Sequence, residues 1–277
     1  MSRVCPPDTT RLHPEDDAAL RNAWRNRFLP RRLKRRLRYR AAIGARATSP
    51  TWSDPPEGPV LVLAPHSDDE IIGAGGTAAL HAKRGDKIEA AIVYDGRLGG
   101  EEGVDPDALV ETRESESREA AARIGFRDIH FARSPESAST VREQDLRWLG
   151  ALLEALRPRT IYLPSPIDCH PDHAMTNELL ARTLKEGGGW TPTEVAAYEV
   201  WSPLIPNRLI DISGTIEIKR RALASFRSQT RRSNIDGAAL GLAAYRGARH
   251  GRCAAAEAFW VSPPERFIEV WSSVKWP

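Results

Sequence analysis

An α/β fold with a mostly parallel sheet and helices on both faces is what this 277-residue sequence predicts. Three observations predict it. Strand and helix signals alternate over residues 59–190 at the spacing of right-handed crossovers. The first strand, Val60–Ala64, is apolar at every position, as a strand buried on both faces requires. Clusters rich in His and Asp directly follow the first and fourth strands, where open parallel sheets place their ligands.

The elements follow in order. A helix of small residues is expected over 70–84, then a β-rich strand over 87–94. Residues 107–124 read as a helix that buries Leu109, Ala120, Ala121 and Ile124. A third strand occupies 128–132. Leu146, Leu149, Leu152, Leu153 and Leu156 recur at helical spacing and predict a helix over 142–156. A fourth strand, 160–163, leads to a helix over 173–185. Beyond that the signals mix: strands over 195–201 and 208–212, a helix over 215–227 and a late strand over 267–271. Residues 59–277 thus form the predicted folded unit, and residues 1–58 an N-terminal extension.

Charge sets the extension apart. The chain carries a formal +3, yet residues 21–46 hold ten arginines and one lysine with no acid. The remainder of the chain is net acidic. Trp24, Phe28, Leu33 and Leu37 give the basic stretch an apolar stripe, and the Pro-rich SPTWSDPPEGP connects it to the body. Such a segment suits an anionic membrane surface. It suits nucleic acid electrostatically too, but no nucleic-acid-binding motif accompanies it. Three scattered cysteines (Cys5, Cys169, Cys253) make no disulfide framework, which favours a reducing, cytoplasmic location. No apolar run approaches the ~20 residues of a membrane-spanning helix. The expectation is a cytoplasmic protein, with the membrane periphery as the alternative.

The chemistry lies in the two clusters. The first reads Pro65-His66-Ser67-Asp68-Asp69-Glu70, and the second runs from Asp168 through Cys169, His170, Pro171 and Asp172 to His173. His66 and Asp69 are three apart, as are His170 and His173. On the first turn of a helix that spacing brings side chains to one side. Two such pairs from neighbouring loops can converge on one ion, and imidazole plus carboxylate ligation with an open position is how a catalytic zinc is held. Asp, Ser and His after a strand also serve as helix caps, so one cluster alone would signify little. Spacing does not tell His170 from His173 as the ligand.

These residues carry a resemblance. The segment from Val60 to Gly76 resembles the first motif of the PIG-L/LmbE-like N-deacetylases, PHxDDE after an apolar strand, with Ser67 where Pro often stands. Asp168 to His173 resembles their D-x-H-P-D-H. Arg113-x-x-Glu116, Tyr94-Asp95-Gly96, Ser228-Gln229 and the segment Ala256 to Phe259 resemble further family features, over about residues 59–262. The resemblance implies a Rossmann-like fold of the LmbE kind and hydrolysis of the N-acetyl group of a glucosamine-containing small molecule. It implies a divalent metal, usually zinc, with Fe2+ as another candidate. By motif position His66, Asp69 and His173 are the implied metal ligands. Asp68 is the implied general base, and His170 and Asp172 a supporting catalytic pair, His170 as an imidazolium that Asp172 orients. Arg113 and Asp95 are candidate substrate-binding residues, with an Arg113–Glu116 pair as the structural alternative.

Other readings stay open. An amidase acting on a larger acyl or peptide-like group would use the same residues. A non-catalytic membrane-surface protein would need only the basic segment. Gly73-x-Gly75-Gly76 only faintly echoes a dinucleotide loop. Trp190, Trp201, Trp260, Trp271 and Trp276 are candidates for a sugar-stacking platform.

Overall fold

The computed structural model describes residues 49–100, 103–187, 190–231, 233–249 and 253–274. The basic segment 21–46 and Cys5 lie outside the described residues. Eight strands form one sheet: β1 (Thr51–Trp52), β2 (Val60–Ala64), β3 (Ile88–Tyr94), β4 (Asp128–Ser134), β5 (Thr160–Pro164), β6 (Glu194–Tyr198), β7 (Arg208–Asp211) and β8 (Ala256–Ser262). Their order is β1-β7-β8-β6-β5-β2-β3-β4. Every neighbouring pair is parallel except those made by β8, which runs antiparallel to both β6 and β7. The helices are α1 (Asp69–Arg84), α2 (Pro106–Ile124), α3 (Glu143–Leu156), α4 (Pro171–Glu186), α5 (Ile216–Leu223), α6 (Arg227–Thr230), α7 (Ile235–Arg249) and α8 (Pro264–Val274).

The apolar run of β2 is explained by its place in mid-sheet. Val60, Val62 and Ala64 enter one core layer with residues of α1, α2, α5 and α7. Leu61 and Leu63 point the other way and meet α3, α4 and α8. A strand covered on both faces has no solvent side, so no position can be polar without a buried partner.

Residues 60–186 fold as expected, and the chain beyond them departs in three places. The late strand expected at 267–271 is a helix: α8 buries Phe267, Val270, Trp271 and Val274, spaced i, i+3, i+4, i+7. The strand of this region is β8, which lies earlier. A second departure is α7, which the sequence reading left without structure. The third is the helix expected over 215–227, which is broken into α5 and α6 at Ser225 and Phe226, where the Phe226 side chain is fully buried. In addition, the connector joins the sheet: Thr51–Trp52 pairs with β7, and Arg84 donates to the carbonyls of Pro55 and Pro56.

Small residues let α1 lie close to the sheet. A Cβ at Gly73 would fall 2.0 Å from Cδ2 of the buried Tyr198. The Tyr198 hydroxyl donates to the Leu63 carbonyl at 3.1 Å, so the ring is not free to swing aside. Gly73→Ala is therefore expected to cost about 1–3 kcal/mol by overpacking. Denaturant midpoints check this, with Gly241→Ala as the control, because a Cβ at Gly241 meets nothing within 4 Å. Equal midpoints for the two variants would contradict the packing argument.

Candidate active site

From β2 the chain moves outward through β3 and β4, then returns to β5 on the other side of β2. The loops after β2 and β5 thus diverge at a topological switch point, where a crevice opens. Both polar clusters sit there. The first forms the β2–α1 turn, and the second the β5–α4 turn. Pro171 opens α4 at a position where its missing N–H costs nothing.

The two clusters meet around Asp69 and His66. Asp69 Oδ2 lies 3.3 Å from His66 Nδ1 and 3.2 Å from His173 Nε2. It also accepts a hydrogen bond from the His66 backbone N–H at 3.1 Å. On the far side of its ring, His66 Nε2 lies 3.0 Å from Asp172 Oδ2 and 3.5 Å from Glu136 Oε1. Asp168 Oδ1 stands 3.4 Å from His173 Nδ1. His173 is fully buried, yet neither of its ring nitrogens makes a hydrogen bond.

Such orphaned nitrogens call for a partner. The donor set fits a divalent cation. Around a tetrahedral ion with bonds of ~2.0–2.1 Å, neighbouring donor atoms stand roughly 3.3 Å apart. The distances from Asp69 Oδ2 to the two imidazoles match that edge. Among the described residues, two groups of three potential donors lie together: His66, His170 and His173; and His66, Glu136 and Asp172.

The electrostatics point the same way. Burial disfavours the charged ring of His66, but Asp172 and Asp69 outweigh it and hold the group at about 9. Burial likewise opposes a charged His173, and Asp69 and Asp168 raise it to about 10. Asp69, against its own burial, is held by His173 and His66 well below the usual carboxylate range. A site that stabilises added positive charge so strongly suits a cation.

Asp68 differs from its neighbour Asp69. Burial, reinforced by the Asp69 charge, pushes its carboxyl up to about 7, and Arg113 only partly offsets this. Its backbone has φ 120°, a conformation rare for a residue with a side chain. The turn is held by Ile71 and Ile72 N–H groups donating to the Asp68 carbonyl, and by the Asp68 N–H donating to Glu70 Oε2 at 3.0 Å. Strain of this kind persists where the surroundings over-determine it, commonly at functional sites.

His170 caps α4: its Nδ1 accepts the Asp172 backbone N–H at 3.2 Å. A nitrogen that accepts carries no proton, so the ring is neutral with its proton on Nε2. Burial and the neighbouring His173 and His66 push its pKa down. This differs from the expected imidazolium. Asp172 also acts differently from the expectation. Its backbone orients His170, while its carboxylate faces His66 and accepts the Ser137 N–H at 2.9 Å. The reason is helical geometry: the Asp172 carboxylate lies 3.9 Å from His170 Nδ1, beyond hydrogen-bond range.

A cleft of about 300 Å³ opens beside these groups. His66, Asp68, Asp69, His170 and Arg113 line it, and so do Glu136, Trp201 and Gln229. Arg113 is buried and donates to the carbonyls of Gly96 and Ser67 at 3.2 and 3.0 Å. The alternative Arg113–Glu116 pairing does not form, because the Glu116 carboxylate accepts from the Ser228 N–H and hydroxyl. Asp95 stands at the end of β3 with its carboxylate bound by Arg97 Nε at 2.7 Å, and it is not among the residues lining the cleft. Cys169 is exposed. Of the tryptophan candidates, Trp201 lines the cleft and stacks on His170 at 6.3 Å; Trp260 and Trp271 are buried, and Trp276 lies outside the described residues.

Sequence reasoning missed Glu136 and the work of Asp168, and it offered Trp201 only as one of five tryptophan candidates. Asp168 Oδ2 accepts from the backbone N–H groups of Trp201 and Ser202, while Oδ1 accepts from that of His170. The signal for Asp168 was its place at the head of the second cluster. For Glu136 there was none beyond the loop that follows a strand.

A family model described as PIG-L: GlcNAc-PI de-N-acetylase matches residues 61–184, a span that includes both clusters. The diacetylchitobiose deacetylase of Thermococcus kodakarensis is 26% identical over 185 residues, which are 61% of this chain and 69% of that protein. A solved structure of a conserved Thermus thermophilus protein superposes with a TM-score of 0.66 at 27% identity, covering 74% of this chain and 94% of the other. The N,N'-diacetylchitobiose deacetylase of Pyrococcus horikoshii gives a TM-score of 0.64 at 24% identity, covering 74% and 84%.

Proposed function

We propose, from the match of residues 61–184 to the PIG-L family model, that this chain is a member of that family and a metal-dependent hydrolase that removes the N-acetyl group of an N-acetylglucosamine-type sugar or glycoconjugate. The observation that carries this reading is the meeting of both clusters at one crevice, with Asp68 on the wall of the same cleft. A site for amide hydrolysis needs a cation, a base and a proton donor within reach of one bond.

His66, Asp69 and His173 are the residues we assign to hold the metal. Two imidazoles with one carboxylate suit zinc, and suit Fe2+ as the second candidate. A divalent ion held there would supply Lewis acidity toward the amide carbonyl and would make the attacking water more acidic. Asp172 fixes the His66 ring from behind, and Asp168 does the same for His173. Asp68 takes the water proton, and the same carboxyl then delivers a proton to the departing amine nitrogen. Its raised pKa of about 7 lets it exchange protons near neutrality. His170 Nε2–H is the donor for the developing oxyanion. Arg113 is placed to tune Asp68, and Trp201 to stack on a sugar face. We propose no substrate contact for Asp95, whose carboxylate Arg97 occupies.

Mass spectrometry of the zinc-loaded protein with a panel of N-acetylglucosaminides is expected to show loss of one acetyl mass. Turnover of N-acyl peptides in preference to every sugar would favour the amidase reading.

No helix among the described residues is long and apolar enough to cross a membrane. For residues 21–46 we propose electrostatic attraction to anionic surfaces, supported by the run of eleven basic residues alone. The full chain is expected to co-sediment with anionic vesicles at low salt, and not with zwitterionic ones or at high salt. Equal sedimentation with both lipids would rule this out.

A further inference from the structure

The cleft has two unlike sides. The catalytic groups make one. The other is apolar, and α7 builds most of it. Ile235, Ala238, Ala239 and Leu242 of that helix all line the cleft. Their spacing, i, i+3, i+4, i+7, is one stripe of a helix. Ile72 continues the wall on α1, three residues after Asp69 and four after Asp68, so it stands on the same helical face as both. Trp201 closes it from the side of His170.

The wall is held in place. Arg246, in the last turns of α7, forms a buried ion pair with Glu199 at the end of β6 and donates to the Leu204 carbonyl at 3.1 Å. The Trp201 backbone is pinned by Asp168 at 2.9 Å. Ala238 nevertheless remains exposed, and Ile235 and Leu242 are only half-buried. Ala239 belongs to the core, but the exposed and half-buried positions of this stripe keep apolar surface open to the cleft. Its free energy is available to a ligand.

Among the described residues, Arg113 is the one Lys or Arg side chain lining the cleft. That guanidinium already donates to the Gly96 and Ser67 carbonyls and faces Asp68. The sugar must present its acetamide to His66, Asp69 and His173. Whatever is attached to the sugar then extends along the wall of α7.

The geometry points to an aglycone-binding subsite on α7, one that selects glucosaminides bearing an apolar alkyl or aryl aglycone. This inference rests on the deacetylase reading and names its substrate class.

The test compares hexyl, methyl and carboxymethyl glycosides of N-acetylglucosamine on the zinc-loaded protein. The hexyl glycoside is expected to exceed the methyl one in kcat/KM by about tenfold or more. The gain is expected in KM, because the alkyl chain lies remote from the reacting bond and binds ground and transition states alike. The carboxymethyl glycoside is expected to show no such gain. Leu242→Asp and Ala238→Asp, both at positions open to solvent, are expected to bring the hexyl-to-methyl ratio close to one. Calorimetric binding of hexyl glucoside, which has no acetamide, supplies a readout independent of turnover. Equal kcat/KM for hexyl and methyl glycosides would overturn the subsite and leave the wall to another occupant, such as the Trp24-to-Leu37 stripe of the chain's own extension. A ratio that survives both substitutions would overturn it as well. Hexyl glucoside binding that depends on Leu242, without deacetylation of any glycoside, would uphold the apolar subsite and defeat the deacetylase reading. Absence of both turnover and binding would defeat both.

Discussion

Replacing Asp68 with Asn is expected to lower kcat by ~10²–10⁴-fold, the usual worth of a general base, while leaving the fold and the metal content unchanged. The fold should survive for a specific reason. Asp68 shares a buried turn with Asp69 and Glu70, and burial together with those like charges raises Asp68 to about 7 and Glu70 to about 8. Removing one charge from such a cluster relieves repulsion. The main-chain bonds that hold the turn, from Ile71 and Ile72 to the Asp68 carbonyl, do not involve the side chain. Asn is also among the residues that tolerate positive φ best. The loss should fall on kcat with little change in KM, because the base acts during proton transfer. Metal content by elemental analysis and a thermal melt separate this from misfolding. Near-normal turnover would remove Asp68 from the mechanism. Glu70 would be a poor substitute, since its Oε2 is bound by the Asp68 N–H and it does not line the cleft.

A second large effect is expected at His173. The His173→Ala variant should lose the metal, with affinity reduced on the order of 100-fold or more. Changes to groups that merely orient a ligand already cost about 10–100-fold. The ring is fully buried, and its two nitrogens point at Asp69 and Asp168 without hydrogen-bonding either. Its removal leaves two buried carboxylates facing a void, so apo stability should fall too. His173→Gln distinguishes the two effects. It refills most of the space and restores a polar contact for Asp168, and is expected to recover the melting temperature better than the metal affinity. Retention of stoichiometric metal by His173→Ala with unchanged affinity would reassign the site to the alternative cluster of His66, Glu136 and Asp172.

Much of this protein was legible in one dimension. The continuous apolar run of β2 could only be a strand buried on both faces, and it is. The alternation through residue 186 followed from local periodicity and caps. The positions of both clusters followed from a general property of parallel sheets, which put loop residues at the carboxyl ends of strands. Three-residue spacing brought each cluster's side chains to one side of a turn.

Distances across the sheet were not legible, because no local rule fixes which strand neighbours which. The segment 267–271 offered apolar residues that fit either period. The Pro at the start of α8 and the burial of Trp271 against α4 decided for helix. β8 inserts between β6 and β7 because its two faces, like theirs, find core on either side. The apolar stripe of α7 was invisible until β6 and β8 had placed it over the cleft.

The same division holds within the site. The sequence by itself determined which residue types gather at the two strand ends, and the fold and family they mark. Only the tertiary structure decided that the Asp172 carboxylate serves His66 rather than His170, that Asp168 braces both His173 and the Trp201 loop, and that Glu136 and an apolar helix face complete the cleft. The reason is physical: local spacing sets the direction of a side chain over one helical turn, but its partner, arriving from residues far away in the chain, is set by the packing of the whole sheet.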